Sequence, residues 1–136
     1  MHLVISDSDG KSYRLEVPKE KEAFFVGKKI GEKFDATIFG LEGYTLEITG
    51  GSDKIGTPMR SDVSGTGRKK IILDYGVGQR QKGIRKRKMI AGNTISLDIV
   101  QINSKVIKKG TKPLNELIKM EKKEKTDKDK AKAKKK

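Results

Sequence analysis

Glycine is the residue that most restricts what this chain can become. Fifteen glycines, all between residues 10 and 110, cut the sequence into apolar segments too short for long helices. Across residues 65–83, Gly65, Gly67, Gly76, Gly78 and Gly83 leave no stretch in which a helix would be stable. Between the glycines the pattern is mostly of period two. Residues 3–5 and 13–17 read as strands, with Tyr13, Leu15 and Val17 alternating with Arg14 and Glu16, and Ser6-Asp7-Ser8-Asp9-Gly10 supplies a hairpin turn. Residues 33–39 and 44–49 form a second strand pair around Gly40-Leu41-Glu42-Gly43. Residues 69–73, 84–90 and 95–108 are further strand regions, the last interrupted near Asn103, while residues 50–67 read as a long loop and 75–83 as a glycine-rich turn. Many short strands joined by such turns predict an all-β domain, a small closed or partly open β-barrel. Helix is confined to two short pieces: residues 19–26, opened by Pro18, ended by Gly27 and anchored by Phe24 and Phe25, and residues 113–120, with Leu114, Leu117 and Ile118 on one side.

The chain of 136 residues has room for one modest core. The expected division is a β-barrel domain over residues 1–111 and, over 112–136, a short helix with a lysine-rich tail. After Met120 only Ala131 and Ala133 are apolar, so the tail has nothing to bury against its conformational entropy and is expected to be disordered. There is no cysteine, which excludes a disulfide framework, a thiolate metal site and a thiol nucleophile. The opening Met1-His2-Leu3-Val4-Ile5-Ser6-Asp7 lacks the apolar length of a signal peptide, and no run approaches a membrane span. A cytoplasmic protein with no membrane partner is expected.

The positive charge comes in two blocks. Residues 60–90 hold ten basic side chains, Arg60, Arg68, Lys69, Lys70, Arg80, Lys82, Arg85, Lys86, Arg87 and Lys88, against two acids, Asp62 and Asp74. Residues 112–136 hold eleven lysines against five acids, and the remainder of the chain is neutral. Lysines and arginines concentrated on one segment fit a polyanion, because neutralising phosphates releases condensed counterions. Anionic lipid would call for an amphipathic helix, which the glycines of this block forbid. Nucleic acid is the expected partner, and the ten basic residues are the candidate contacts. Arg85-Lys86-Arg87-Lys88 on a strand would point alternately to two sides, so that two could face one RNA surface while the others face a second strand or solvent.

Catalytic patterns are weak by comparison. Gly51 and Gly56 have the spacing of the first two glycines of a phosphate-binding loop, but Thr57 and Pro58 stand where its lysine should follow. No Gly-x-Gly-x-x-Gly fingerprint occurs. His2, the single histidine, sits at a terminus without ligand-spaced companions. Asp53, Asp62, Asp74 and Asp98 could in principle hold Mg²⁺ for nucleic-acid processing, though turn and capping roles are commoner for aspartate. The aromatic core of an RNA-recognition motif is missing, and the Gly40 to Gly43 spacing, filled by Leu41 and Glu42, reads as a turn because a glutamate facing phosphate is unfavourable. Tyr75 is the one aromatic among the basic clusters that could stack on a base, with core burial its competing role. No cofactor, metal or small-molecule substrate is expected. A non-specific DNA-compacting protein remains the main alternative, and a Mg-dependent nucleic-acid-processing enzyme the lesser one.

Longer motifs narrow the choice. Ile48-Thr49-Gly50-Gly51-Ser52-Asp53-Lys54-Ile55-Gly56-Thr57-Pro58-Met59 resembles the signature of the eukaryotic-type small-subunit ribosomal protein six family in its archaeal form. Leu3-Val4-Ile5-Ser6-Asp7, Ile38-Phe39-Gly40-Leu41-Glu42-Gly43-Tyr44, Pro58-Met59-Arg60 with Asp62-Val63, and Gly92-Asn93-Thr94-Ile95-Ser96 with Asp98-Ile99-Val100 agree in order, over roughly residues 1–110. The resemblance implies a structural, non-catalytic component of the small ribosomal subunit, with a β-barrel body that binds ribosomal RNA and contacts neighbouring ribosomal proteins. Two departures limit what carries over. Where the family has a denser arginine run before Gly92, this chain has Arg87-Lys88-Met89-Ile90-Ala91. Eukaryotic members carry a long, phosphorylated serine-bearing extension, whereas Thr126 is the one hydroxyl residue here after Thr111.

Overall fold

A computed structural model describes residues 1–74 and 83–118. The N-terminal hairpin forms as the alternation predicts. β1 (His2–Ser6) and β2 (Ser12–Glu16) pair antiparallel, and Gly10 closes the turn with a φ of 79°, in the left-handed region that favours glycine. After Pro18 the chain makes only one helical turn, α1 (Lys19–Glu22). The longer helix expected to residue 26 does not form. Phe24 and Phe25 both turn into an aromatic cluster with Phe34 and Phe39, ring centroids 5.2–6.4 Å apart, and one helix face could not deliver two consecutive residues there.

β3 (Lys33–Asp35) is likewise shorter than expected. The Asp35 carboxylate accepts from Thr37 N at 3.0 Å and from Thr37 Oγ1 at 2.6 Å, which caps a 3₁₀ turn, Ala36–Phe39, in place of further strand. β4 runs longer, Thr45–Asp53, and takes in the first glycines of the segment read as loop. β7 (Ile99–Lys108) is continuous through Asn103. The interruption expected there lies on the opposite strand, where the register of β4 against β7 shifts between Ile48 and Gly50.

These five strands make one sheet in the order β2-β1-β7-β4-β3, with β1 and β7 parallel and the other pairs antiparallel. The sheet begins at β2 and ends at β3, and among the described residues no pairing joins those edges. The domain is all-β with short helical turns, but the closed barrel is not formed. Alternation sets the core: Leu15, Leu3 and Ile102 lie side by side across three strands, as do Ile5, Ser104 and Ile48. Ser104 is buried without cost because its hydroxyl donates to the Val4 carbonyl at 3.0 Å.

The core extends past Thr111. Residues 114–118 are helical, and Leu114 and Ile118 are buried in the same cluster as the sheet's inward side chains. Tyr44 Oη fastens the approach to this helix by donating to the Lys112 carbonyl at 2.7 Å. The expected tail beyond Ile118, and Tyr75 with the 75–82 part of the glycine-rich turn, lie outside the described residues.

Candidate nucleic-acid interface

Two six-residue strands form a separate ribbon, β5 (Arg68–Leu73) and β6 (Lys86–Ala91). They pair antiparallel, with Arg68 opposite Ala91 and Leu73 opposite Lys86. Residues directly opposite in such a pair share a face. One face carries Arg68, Lys70, Ile72, Arg87, Met89 and Ala91, and the other Lys69, Ile71, Leu73, Lys86, Lys88 and Ile90. The cations of the ribbon are therefore divided between the two sides, and of residues 85–88, expected together on a strand, Lys86, Arg87 and Lys88 alternate while Arg85 lies just before it.

The ribbon is rooted in the body by backbone hydrogen bonds. Ala91 N donates to the Pro58 carbonyl at 2.9 Å, Arg60 N to the Ala91 carbonyl at 3.1 Å, and Met59 N to the Gly51 carbonyl at 2.9 Å. Chains approach so closely here that a Cβ on Gly51 would overlap the Gln101 carbonyl oxygen, and one on Gly92 the Gly65 carbonyl oxygen. Close approach, and not positive φ, is why glycine stands at these two positions.

Asp53, at the end of β4, is the polar centre of this root. Its Oδ1 accepts from Ile55 N at 2.8 Å and Thr57 N at 2.9 Å, and its Oδ2 accepts from Arg68 Nε at the first residue of β5. Burial pushes the Asp53 carboxyl up, but the hydrogen bonds from Thr57, Arg68 and Ile55 outweigh it and hold the pKa below the usual carboxylate range. The motif residues 50–59 thus make a lock between body and ribbon rather than a phosphate cradle.

The ten candidate residues fall into distinct groups. Arg60 grips Asp62 with two bonds, of 2.8 Å and 2.7 Å, and lies in the loop before the ribbon. Arg68 belongs to the Asp53 lock. Arg85, just before β6, donates to Asp74 at 2.6 Å. Lys69 Nζ donates to the Ser64 carbonyl at 3.1 Å. Lys70, Lys86 and Arg87 are exposed and Lys88 is half-buried, and none of the four has an acidic partner among the described residues. Arg80 and Lys82 lie outside the described residues. The structure brings Lys69, Lys70, Lys86, Arg87 and Lys88 together on one ribbon and diverts Arg60, Arg68 and Arg85 to carboxylates.

The same pairs dismantle the metal-site alternative. Asp53, Asp62 and Asp74 each face a different arginine, and Asp98 lies 3.3 Å from Lys54 Nζ. No three metal-ligating side chains converge among the described residues. Two residues of the ribbon escaped the sequence reading, Ile72 and Met89, both exposed beside the cations. The signal was present: Ile71 and Ile72 are consecutive in a strand, so one of them had to face outward.

The molecule is a small all-β protein that displays a group of six cations on a self-paired ribbon and gathers no acid–base constellation among the described residues. The Ribosomal protein S6e family model matches residues 1–119. The small ribosomal subunit protein eS6 of Methanothermobacter thermautotrophicus is 51% identical over 118 residues, covering 85% of this chain and 93% of that protein. The eS6 proteins of Methanocella arvoryzae and Methanocaldococcus jannaschii are 46% and 45% identical, over 90% and 88% of this chain and 89% and 90% of theirs. The chain belongs to the ribosomal protein S6e family, a family of ribosomal proteins and not of enzymes.

Proposed function

We propose that this chain is a structural constituent of the small ribosomal subunit in the cytoplasm, that its ribbon binds ribosomal RNA, and that its body lies beside other ribosomal proteins. The observation that carries the RNA contact is the set of Lys70, Lys86, Arg87 and Lys88, which lie on both faces of one ribbon without carboxylate partners among the described residues. Cations left without internal partners on a narrow β-ribbon can neutralise phosphates on two sides, and the rigid pairing fixes where they do so. Arg60, Arg68 and Arg85 serve chiefly to shape the root and the flanks of the ribbon. Kinship supports the assembly, since the relatives are named as small-subunit proteins.

The test is incorporation. Full-length chain with Lys86, Arg87 and Lys88 all replaced by glutamine should melt like the wild type, because these side chains contribute nothing to the main core, yet should be depleted from sedimented small subunits. Normal incorporation of that variant would overturn the RNA-binding role of the ribbon.

A further inference from the structure

The two faces of the ribbon treat the same alternation differently. On one, Leu73 and Ile90 are buried, at 6% and 0% exposure. On the other, Ile72 and Met89 stand 59% and 45% exposed, and their cross-strand neighbours are cations: Ile72 faces Arg87, and Met89 faces Lys70. Four side chains make a square in which the apolar pair takes one diagonal and the cationic pair the other. Diagonal neighbours in an antiparallel ribbon lie about 7–8 Å apart, so all four can meet a single ligand surface. No acidic side chain belongs to this face of the ribbon.

We infer that this square seats the ribbon in the shallow minor groove of an RNA helix, with Ile72 and Met89 against riboses and base edges and with Lys70 and Arg87 on flanking phosphates. The inference rests on the RNA-binding reading above and adds which RNA surface is met and by what force. Charge decides the occupant. A protein partner suited to isoleucine and methionine would also need acids interleaved at this spacing, whereas RNA presents phosphates beside less polar sugar and base surface along its whole length. The minor groove of A-form RNA is wide and shallow and displays 2′-hydroxyls and base edges, whereas the minor groove of B-form DNA is narrow. Isoleucine and methionine are side chains that nucleic-acid-binding proteins do place against base steps.

The test uses the full chain, a labelled 24-base-pair RNA duplex and the DNA duplex of the same sequence, titrated at several salt concentrations. Ile72→Ala with Met89→Ala should weaken RNA binding about tenfold, because two half-exposed side chains no longer bury apolar surface against the groove, while leaving the salt slope unchanged. Ile72→Leu with Met89→Leu should restore most of the affinity, and DNA binding should be indifferent to either change. Lys70→Gln with Arg87→Gln should instead flatten the salt slope by about 2. Wild-type affinity of the alanine pair for RNA would overturn the inference. If that variant were also lost from small subunits, the occupant of the face would be a protein. Equal losses on RNA and DNA would contradict the minor-groove assignment, and failure of the unaltered chain to bind either duplex would sink the RNA-binding reading along with it.

Discussion

The five-stranded sheet and the two-stranded ribbon use one alternating pattern for opposite ends. In the sheet, the inward rows are mostly apolar: Leu3, Leu15, Ile48 and Ile102 lose nearly all exposure to solvent, and the aromatic cluster closes over Phe25. In the ribbon, two of the six apolar positions, Ile72 and Met89, and most of the cations remain outside. A two-stranded ribbon alone is marginally stable in water. Here it is held by its root, through Asp53, Arg68 and the backbone bonds of Ala91. The lesson is a division of labour: stability resides in the body, and the ribbon commits little of its side-chain chemistry to folding.

The sharpest way to break that division is to damage the body. Ile48→Ala or Ile102→Ala should cost about 2–5 kcal/mol, the usual result of emptying a fully buried site, and should leave the RNA affinity of the remaining folded molecules unchanged. Denaturant unfolding combined with binding measured well below the midpoint would check both halves. A smaller loss is expected at the root. Asp53→Asn leaves Arg68 without its carboxylate and should cost about 1–3 kcal/mol. Because the folded-state pKa of Asp53 is lowered, its contribution is fully present above the unfolded value and disappears as pH falls through the folded one. Wild-type stability should therefore decline below about pH 4, and the Asp53→Asn variant should decline less over the same window. Equal acid sensitivity of the two would contradict the lock.

How much of this is legible in the sequence follows from what each reading uses. Strand positions are, because period-two patterns such as Tyr13, Leu15 and Val17 report a buried face directly. The strand ends are not, since Asp35 capping a 3₁₀ turn and β4 continuing through Gly50 and Gly51 depend on a distant hydrogen-bond network and on the Gln101 backbone. The charge block locates the ribbon, but net charge says nothing of pairing. That Asp53, Asp62 and Asp74 claim Arg68, Arg60 and Arg85 can be seen only once the loops are placed in space. An all-β composition is readable, and closure is not, because it turns on the long-range pairing of β1 with β7, which puts β2 and β3 at the two ends of the sheet among the described residues.

The smallest expected effect sharpens the ribbon side of the comparison. Asp74 occupies Arg85 at 2.6 Å on an exposed flank. Asp74→Asn should release that guanidinium and strengthen binding to RNA a few-fold at low salt, with no measurable change in melting temperature. Weaker binding would show that the pair positions Arg85 rather than restrains it.

The most direct measurement of the central claim is the salt dependence of binding to small-subunit ribosomal RNA, for the wild type and for the chain with Lys70, Lys86, Arg87 and Lys88 replaced by glutamine. With about 0.7–0.9 counterions released per phosphate neutralised, the log–log slope should flatten by about 3 in the variant, at an unchanged melting temperature. An unaltered slope would mean that the ribbon does not hold the RNA.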